Sequence, residues 1–160
     1  MNTAASDVLF FQRAIELAKE AGKDGNLPIG AVFGLDGSVI AEGKNTAWFP
    51  GHDPSGHAEM EALRRVSEEH WEHSRRMTLY TTLEPCLMCL GAILLHRIGR
   101  VLYGSADPYG GASQVIGHMP PFFEERMATV EWLGPAYAEA CDELFEQVMA
   151  VVEERRGIRL

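Results

Sequence analysis

The sequence is poor in cysteine and in positive charge, and it has no long apolar run. Three cysteines in 160 residues are too few for the disulfide framework of a small secreted domain. No segment approaches the roughly 18 consecutive apolar residues that a membrane-spanning helix needs. The N-terminus also lacks a basic region followed by an apolar stretch, which is the pattern of a secretion signal. We therefore expect a soluble, cytoplasmic protein.

Positive charge is scarce, with 14 lysines and arginines against 23 aspartates and glutamates and a formal net charge of −9. A protein that binds a phosphate backbone needs clustered cations. The three candidate clusters lie near glutamates or on the flank of a predicted helix, so we expect them to be ion-paired at the surface. These clusters are Arg64-Arg65, Arg75-Arg76 and Arg155-Arg156. The charge balance therefore favours a small substrate over a nucleic acid.

Length and hydrophobic periodicity predict one α/β domain over residues 1–160. The chain has 46% hydrophobic residues, enough for a single core. A tight turn at Asp36-Gly37 separates two antiparallel strands, and later strands and helices alternate, which favours a parallel portion of sheet. The predicted helices cover residues 6–21, 55–71, 86–96 and 136–156, the predicted strands 29–35, 38–42, 77–82, 100–104 and 129–133, and residues 108–121 are predicted to be irregular. The result is a three-layer α/β/α sandwich with a five-stranded mixed sheet.

Two short motifs contain metal-binding side chains. His57-Ala58-Glu59 is followed downstream by Cys86 and Cys89, which are spaced to lie on one face of a helix. One imidazole and two thiolates make three ligands, and catalytic zinc usually has three protein ligands and one water, whereas structural zinc has four protein ligands. Glu59 has no place in a structural site. The pattern therefore predicts a catalytic zinc site in which Glu59 transfers protons.

Both motifs lie where a predicted helix begins, so free backbone N–H groups and the helix dipole would stabilise the thiolates. Zinc lowers the pKa of its bound water toward neutrality. Glu59 would then take a proton from this water and pass it to the substrate while the water oxygen attacks. The predicted reaction is a hydrolysis.

His-x-Glu followed by Pro-Cys-x-x-Cys is also the signature of nucleobase deaminases. We therefore expect Glu59 to pass the proton to a ring nitrogen while the water oxygen attacks the carbon that carries the amino group, and then to protonate the amine, which releases ammonia. The predicted reaction is hydrolytic deamination of an amino-substituted ring. The chain resembles the cytidine deaminase-like zinc deaminases, in particular the branch of guanine deaminases and bacterial tRNA adenosine deaminases. The resemblance extends over residues 27–32, 41–45, 52–59 and 83–104 and includes Asp107. It implies a shared fold and reaction.

Five residues are candidates for substrate binding. The resemblance implies that Asn45 hydrogen-bonds the substrate ring and that the Ala58 backbone N–H holds a ring carbonyl or nitrogen. Position alone also allows Asn45 to be a turn residue that ends a strand. Trp48 and Phe49 are adjacent aromatics on a loop, and they could stack on a flat heterocycle or pack against a partner subunit. Asp107 is the fifth candidate, because the resemblance to the tRNA enzymes includes this residue.

The substrate has two alternatives. Residues 83–100 closely resemble the corresponding part of the tRNA-specific adenosine deaminases. These enzymes convert adenosine to inosine at the anticodon wobble position. Those enzymes usually carry basic residues in the loop after the fourth strand and in the last helix. This chain instead has Ala106, Tyr109 and four glutamates there, and it has Gly51 before His52 where they tend to carry arginine. We therefore prefer a free base or analogue, of the guanine, cytosine or amino-triazine type.

Two further expectations concern the metal and the assembly. A closed structural zinc site would need Cys141 or His52 as a fourth ligand and would leave Glu59 without a function, so we expect Cys141 to be a buried, inert thiol. The resemblance implies a homodimer, which the apolar segments Leu94-Leu95 and Phe122-Phe123 would permit. Specificity should lie in the loops 45–53 and 107–123 and in the final helix.

Overall fold

A computed structural model describes residues 5–156 and contains five helices and five strands in the described range. The helices are α1 (Ala5–Lys23), α2 (Ala58–Arg64), α3 (Leu87–Leu95), α4 (Pro121–Met127) and α5 (Ala138–Arg156). The strands are β1 (Gly30–Leu35), β2 (Ser38–Lys44), β3 (Thr78–Leu83), β4 (Arg100–Ser105) and β5 (Glu131–Leu133). Short 3-10 helices cover Glu68–Arg76 and Ala112–Gln114. Within the described range, no helix is both long enough and apolar enough to cross a membrane.

The strands form one mixed sheet in the order β2-β1-β3-β4-β5. β1 is antiparallel to β2 and β3, whereas β3, β4 and β5 are parallel to one another. Asp36 and Gly37 turn between β1 and β2 with φ of 51° and 80°, which are the positive values that a tight hairpin needs. The predicted five-stranded α/β/α fold is confirmed.

The two faces of the sheet pack against different sets of helices, and α5 contributes to both. Phe33, Leu79 and Val101 belong to the core shared with α2, α3 and the second half of α5, while their chain neighbours Val32, Tyr80 and Leu102 belong to the core shared with α1 and the start of α5. This alternation is the period of two that a strand imposes.

Glycine allows α2 to approach the sheet closely. A Cβ on Gly43 of β2 would lie 2.2 Å from the Ala58 carbonyl oxygen, so any other residue would push away the start of α2. His57 and Glu59 flank Ala58. The close approach therefore helps to place the first metal-binding motif on the sheet.

The structure corrects several predicted boundaries. The helix predicted over 55–71 ends at Arg64, and the 3-10 helix Glu68–Arg76 follows it. α4 was not predicted, although Pro121 at its first position is a common helix start. Gly99 does not close α3, because the left-handed residue after α3 is Arg97, with φ of 59°. Gly99 is needed for packing instead, since a Cβ there would lie 1.8 Å from the Arg75 carbonyl oxygen.

A buried ion pair ties α1 to the centre of the sheet. Asp7 is only 3% exposed and accepts two hydrogen bonds from the Arg100 guanidinium, at 2.9 and 3.0 Å. The Tyr80 hydroxyl donates a third hydrogen bond to Asp7 at 2.6 Å. Burial and the contact with Asp7 raise the pKa of Tyr80, so its hydroxyl remains a donor.

We expect Asp7→Ala to lower the free energy of unfolding by about 3 kcal/mol, measured by urea denaturation of the zinc-loaded protein. The value is at the low end for a broken buried pair because the Arg100 side chain stays 24% exposed and has Glu131 3.5 Å away. Asp24→Ala is the control, since Asp24 pairs with Lys44 at the surface and should contribute less than about 1 kcal/mol. An equal loss of the free energy of unfolding in Asp7→Ala and Asp24→Ala would show that the buried pair stabilises the fold no more than the surface pair does.

Candidate active site

Three donor atoms from two motifs meet beside the sheet. His57 caps the start of α2, Cys86 caps the start of α3, and Cys89 lies in the first turn of α3. The Cys86 Sγ lies 3.5 Å from the His57 Nδ1 and 3.7 Å from the Cys89 Sγ, and the Cys89 Sγ lies 3.8 Å from the same nitrogen. The fold thus brings together two motifs that are far apart in the chain.

These separations fit a tetrahedral zinc ion. Zinc bonds of about 2.3 Å to sulfur and 2.0–2.1 Å to nitrogen place two sulfurs about 3.8 Å apart and a sulfur about 3.5 Å from a nitrogen. Each observed separation agrees with these values to within a few tenths of an ångström. The group of three does not include His52 or Cys141. Three ligands are the number typical of catalytic zinc.

The two thiols have opposite ionisation tendencies. A hydrogen bond with the Cys89 thiol, together with the nearby His57 ring, lowers the pKa of Cys86 to about 4. The same hydrogen bond and burial raise the pKa of Cys89. Contact with the Cys86 sulfur raises the pKa of His57. Of the two thiols, Cys86 therefore ionises more readily, and a bound cation would ionise both.

Glu59 lies beside the metal ligands and is only 6% exposed. Its Oε2 is 3.6 Å from the Cys89 Sγ, and its Oε1 is 3.4 Å from the Thr81 hydroxyl oxygen. Burial raises the pKa of the Glu59 carboxyl above its ordinary value. A carboxyl group whose pKa is moved toward neutrality can both accept and donate a proton, as general acid–base catalysis requires.

A pocket of about 360 Å³ opens onto His57, Glu59 and Cys86. Its polar lining comes from residues at the ends of β3 and β4, and much of its wall is apolar. The other lining residues are Leu27, Ile29, Leu83, Glu84, Asp107, Tyr109, Gly110, Phe145, Val148, Met149 and Val152. No lysine or arginine among the described side chains, which are those of residues 6–154, lines it.

The predicted substrate-binding residues separate into two groups. Asp107 lines the pocket beside the metal ligands. Asn45 and Ala58 are buried next to the site, 1% and 0% exposed, but neither lines the pocket. The Asn45 Oδ1 accepts a hydrogen bond from the Ala47 N–H at 3.1 Å, which is the turn role that position alone allowed. Substrate contacts by Asn45 and by the Ala58 N–H stay predictions.

Trp48 and Phe49 do not line this pocket. Their backbone N–H groups donate to the Asn26 Oδ1 at 2.9 and 3.0 Å, which holds the loop against the end of α1. The Phe49 side chain is 58% exposed. Within one chain the two aromatics form no wall of the pocket, and both of their predicted roles, stacking on the substrate and packing against a partner subunit, stay predictions.

The sequence did not single out several pocket residues. Phe145, Val148, Met149 and Val152 of α5 are spaced as one face of a helix, but spacing alone does not tell which surface that face covers. Cys141, on the same helix, is buried as predicted and packs against Gly104 on the other side of the sheet.

Residues 4–105 match the family model of the cytidine and deoxycytidylate deaminase zinc-binding region. The chain belongs to this family of zinc-binding deaminases. It is 42% identical over 102 residues to the tRNA-specific adenosine deaminase of Buchnera aphidicola, an alignment that covers 62% of each chain. It is 38% identical over 141 residues to the tRNA-specific adenosine deaminase of Haemophilus influenzae, covering 86% of this chain and 79% of that one.

A solved structure from a study of A-to-I editing by tRNA:A34 deaminases has the same fold. It superimposes with a TM-score of 0.72 at 33% sequence identity, covering 86% of this chain and 99% of that one. The predicted membership of the zinc deaminases and the predicted zinc cofactor are thereby confirmed.

Proposed function

We propose that this protein converts adenosine to inosine in tRNA, at the wobble position of the anticodon. The proposal is carried by its relatives, since tRNA-specific adenosine deaminases are 38–42% identical to it and one of them aligns with 86% of the chain. The net charge of −9 favoured a free base as the substrate. The relatives support the tRNA alternative better than the free base.

The residues of the pocket suit hydrolytic deamination. His57, Cys86 and Cys89 would hold zinc. When bound there, the zinc ion would act as a Lewis acid that activates water. Glu59 accepts a proton from the attacking water and delivers it to a ring nitrogen. It then accepts the remaining proton of the hydroxyl group added to the ring carbon and delivers it to the departing amine, which leaves as ammonia while the carbon–oxygen double bond forms. The apolar side chains of α5 keep bulk water away from these transfers.

The mouth of the pocket supports an RNA substrate. Tyr109 lines the pocket and is 62% exposed, so its ring is available to a nucleotide that approaches from solvent. A deaminase acts on a nucleic acid only after the target base is turned out of its stack into the pocket. An exposed aromatic ring beside the opening suits stacking on a neighbouring base.

The distribution of cations also bears on RNA binding. Arg64 and Arg65 pair with Glu61, and Arg76 pairs with Asp36, as the sequence predicted for these pairs. The side chains of Arg155 and Arg156 lie outside the described residues. The prediction is wrong for Arg75, which has no carboxylate within salt-bridge distance in the described part of the chain. Arg75, Arg97 and Arg126 line one cleft of about 260 Å³ together with Glu125. Arg126 is held by the Leu94 and Leu95 carbonyl oxygens and lies over the Phe122 ring, so Arg75 and Arg97 are the cations available for phosphate contacts.

Deamination of a free base is the second candidate. It is favoured by the absence of lysine and arginine among the described residues that line the pocket, and by the four apolar side chains of α5 along its wall. A neutral ring needs no phosphate contact, and an apolar wall suits its flat faces.

Product analysis with a substrate panel tests the proposal. Zinc-loaded protein is offered an anticodon stem-loop with adenosine at position 34, the same stem-loop with guanosine there, free adenosine, adenine, guanine and cytosine. We expect inosine in the first RNA, and Glu59→Ala is the control for contaminating activity. Ammonia from a free base with no inosine in the RNA would overturn the tRNA proposal in favour of the second candidate.

We also propose that the protein acts as a homodimer in the cytoplasm. α3 and α4 expose large apolar side chains in the described structure: Leu87 is 57%, Met88 38%, Leu95 54% and Phe122 49% exposed. Leu94, which was predicted to contribute, is instead fully buried within the protomer. We expect Leu95→Glu to yield monomers in light scattering after size exclusion. Leu9→Glu on α1, where Leu9 is 64% exposed, is the control and should not change the mass.

A further inference from the structure

Glu84 is a buried carboxylate that neither the reaction nor the metal requires. It is 5% exposed and lines the pocket between the end of β3 and Cys86. Its Oε2 accepts a hydrogen bond from the Asp107 backbone N–H at 2.9 Å, and its Oε1 accepts one from the Ser113 N–H at 2.8 Å. A buried carboxylate is costly unless its oxygens are hydrogen-bonded, and here both are bonded to one loop.

The same loop is joined to the residues on either side of the first cysteine. The Ala112 N–H donates to the Pro85 carbonyl oxygen at 2.9 Å, and Cys86 pairs with Gly111 as an isolated antiparallel bridge. The loop 107–113 is therefore attached to the segment 84–86 by side-chain and backbone contacts. A shift of this segment would move a metal ligand and a pocket wall together.

Within the loop, Asp107 continues the network. Its Oδ1 accepts hydrogen bonds from the Tyr109 and Gly110 N–H groups at 2.9 and 3.0 Å, and its carbonyl oxygen accepts one from the Gly111 N–H at 3.0 Å. These bonds orient the Asp107 carboxylate and bring Tyr109 to the mouth of the pocket. The Glu84 carboxylate holds Asp107, the first residue of this turn, through the Asp107 backbone N–H.

Gly111 is the position that allows the carboxylate to lie against the loop. A Cβ there would lie 2.4 Å from the Glu84 Oε2 and 2.5 Å from the Asp107 carbonyl oxygen. Both atoms are held by hydrogen bonds, so neither can move away without breaking one. Any larger residue at position 111 must therefore displace Glu84 or the loop.

We propose that Glu84 is a positioning residue that fixes Asp107 and Tyr109 relative to the metal ligands and so controls substrate binding. It acts through the loop and does not contact the reacting atoms. The proposal rests on the deaminase function proposed above but holds for either substrate. It predicts that weakening this contact impairs binding more than the chemical step.

Glu84→Gln tests the proposal with almost no change of shape. The amide offers one acceptor oxygen, and its NH2 group must face one of the two backbone N–H groups. We expect amide hydrogen exchange to accelerate by about 10–100-fold at whichever of Asp107 and Ser113 faces the NH2 group, the range for losing a hydrogen bond to a charged group. We expect KM to rise by about tenfold or more, kcat to change by less than about threefold, and zinc content to stay unchanged.

Gly111→Ala is the second variant and leaves the Glu84 side chain intact. It should reproduce the faster exchange and the higher KM, because the new methyl group displaces the same contact. Glu72→Gln is the control, since Glu72 has a side chain 76% exposed and should change none of these quantities.

Three results would overturn the positioning role. Unchanged exchange at both amides would show that Glu84 does not hold the loop. A fall in kcat at unchanged KM would make Glu84 a participant in proton transfer, and loss of zinc from Glu84→Gln would make it a support of the metal site. Hydrogen exchange needs no substrate, so it tests the contact even if neither proposed substrate is turned over.

Discussion

Glu59→Ala should retain zinc and the fold but lower kcat by about a hundredfold to ten-thousandfold, which is the usual contribution of a general acid–base group. Glu59 is the buried carboxylate 3.6 Å from the Cys89 Sγ, and its raised pKa suits both proton transfers. Removing it leaves the three ligand side chains in place. The measurements are kcat by ammonia release, zinc content by elemental analysis and fold by circular dichroism.

Glu61→Ala is the control for Glu59→Ala because it removes a carboxylate from the same helix. Glu61 pairs with Arg64 and Arg65 and does not line the pocket. Its activity should stay close to that of the unchanged protein. Near-normal turnover by Glu59→Ala would remove Glu59 from the mechanism.

Cys86→Ala is expected to weaken zinc binding by at least about a hundredfold, since even groups that only orient a ligand contribute about 10–100-fold. Cys86 is one of the three side chains that can hold the metal, so its loss leaves only the His57 imidazole and the Cys89 thiolate as ligands. Turnover should be lost with the metal. Competition with a zinc-binding dye measures the affinity.

Cys141→Ala is the matched thiol variant, because Cys141 is fully buried against Gly104 and lies outside the metal group. It should keep zinc and activity. Retention of full zinc occupancy by Cys86→Ala would remove Cys86 from the ligand set. Loss of zinc from Cys141→Ala with the fold intact would instead support a closed, structural site.

Local sequence signals predicted the framework of the fold. Asp36-Gly37 supplied the positive φ values of the first hairpin, and alternation of strands and helices from β3 onward predicted the parallel strands. Boundaries that depend on packing were predicted less well. α3 ends at Leu95, and Gly99 is required by the backbone of Arg75, a residue distant in the chain. Periodicity does not report such contacts.

The electrostatics of the protein could likewise be predicted only in part from the sequence. A count of residues predicted an acidic protein with ion-paired arginines, and the pairs of Arg64, Arg65 and Arg76 confirm this for the residues concerned. The prediction was wrong for Arg75, which shares a cleft with Arg97 and Arg126 and has no salt-bridge partner in the described structure. Net charge is a sum, whereas binding depends on where unpaired charges lie.

The sequence by itself identified the three side chains that can hold a metal and predicted Glu59 as the proton carrier, because zinc chemistry requires particular side chains at short, helical spacing. Only the tertiary structure decided what surrounds them. The wall from α5 and the loop held by Glu84 come from segments distant in the chain, and their positions depend on packing and on backbone hydrogen bonds that leave little trace in a local pattern. The chemistry is thus readable from neighbouring residues, while substrate recognition depends on contacts between distant ones.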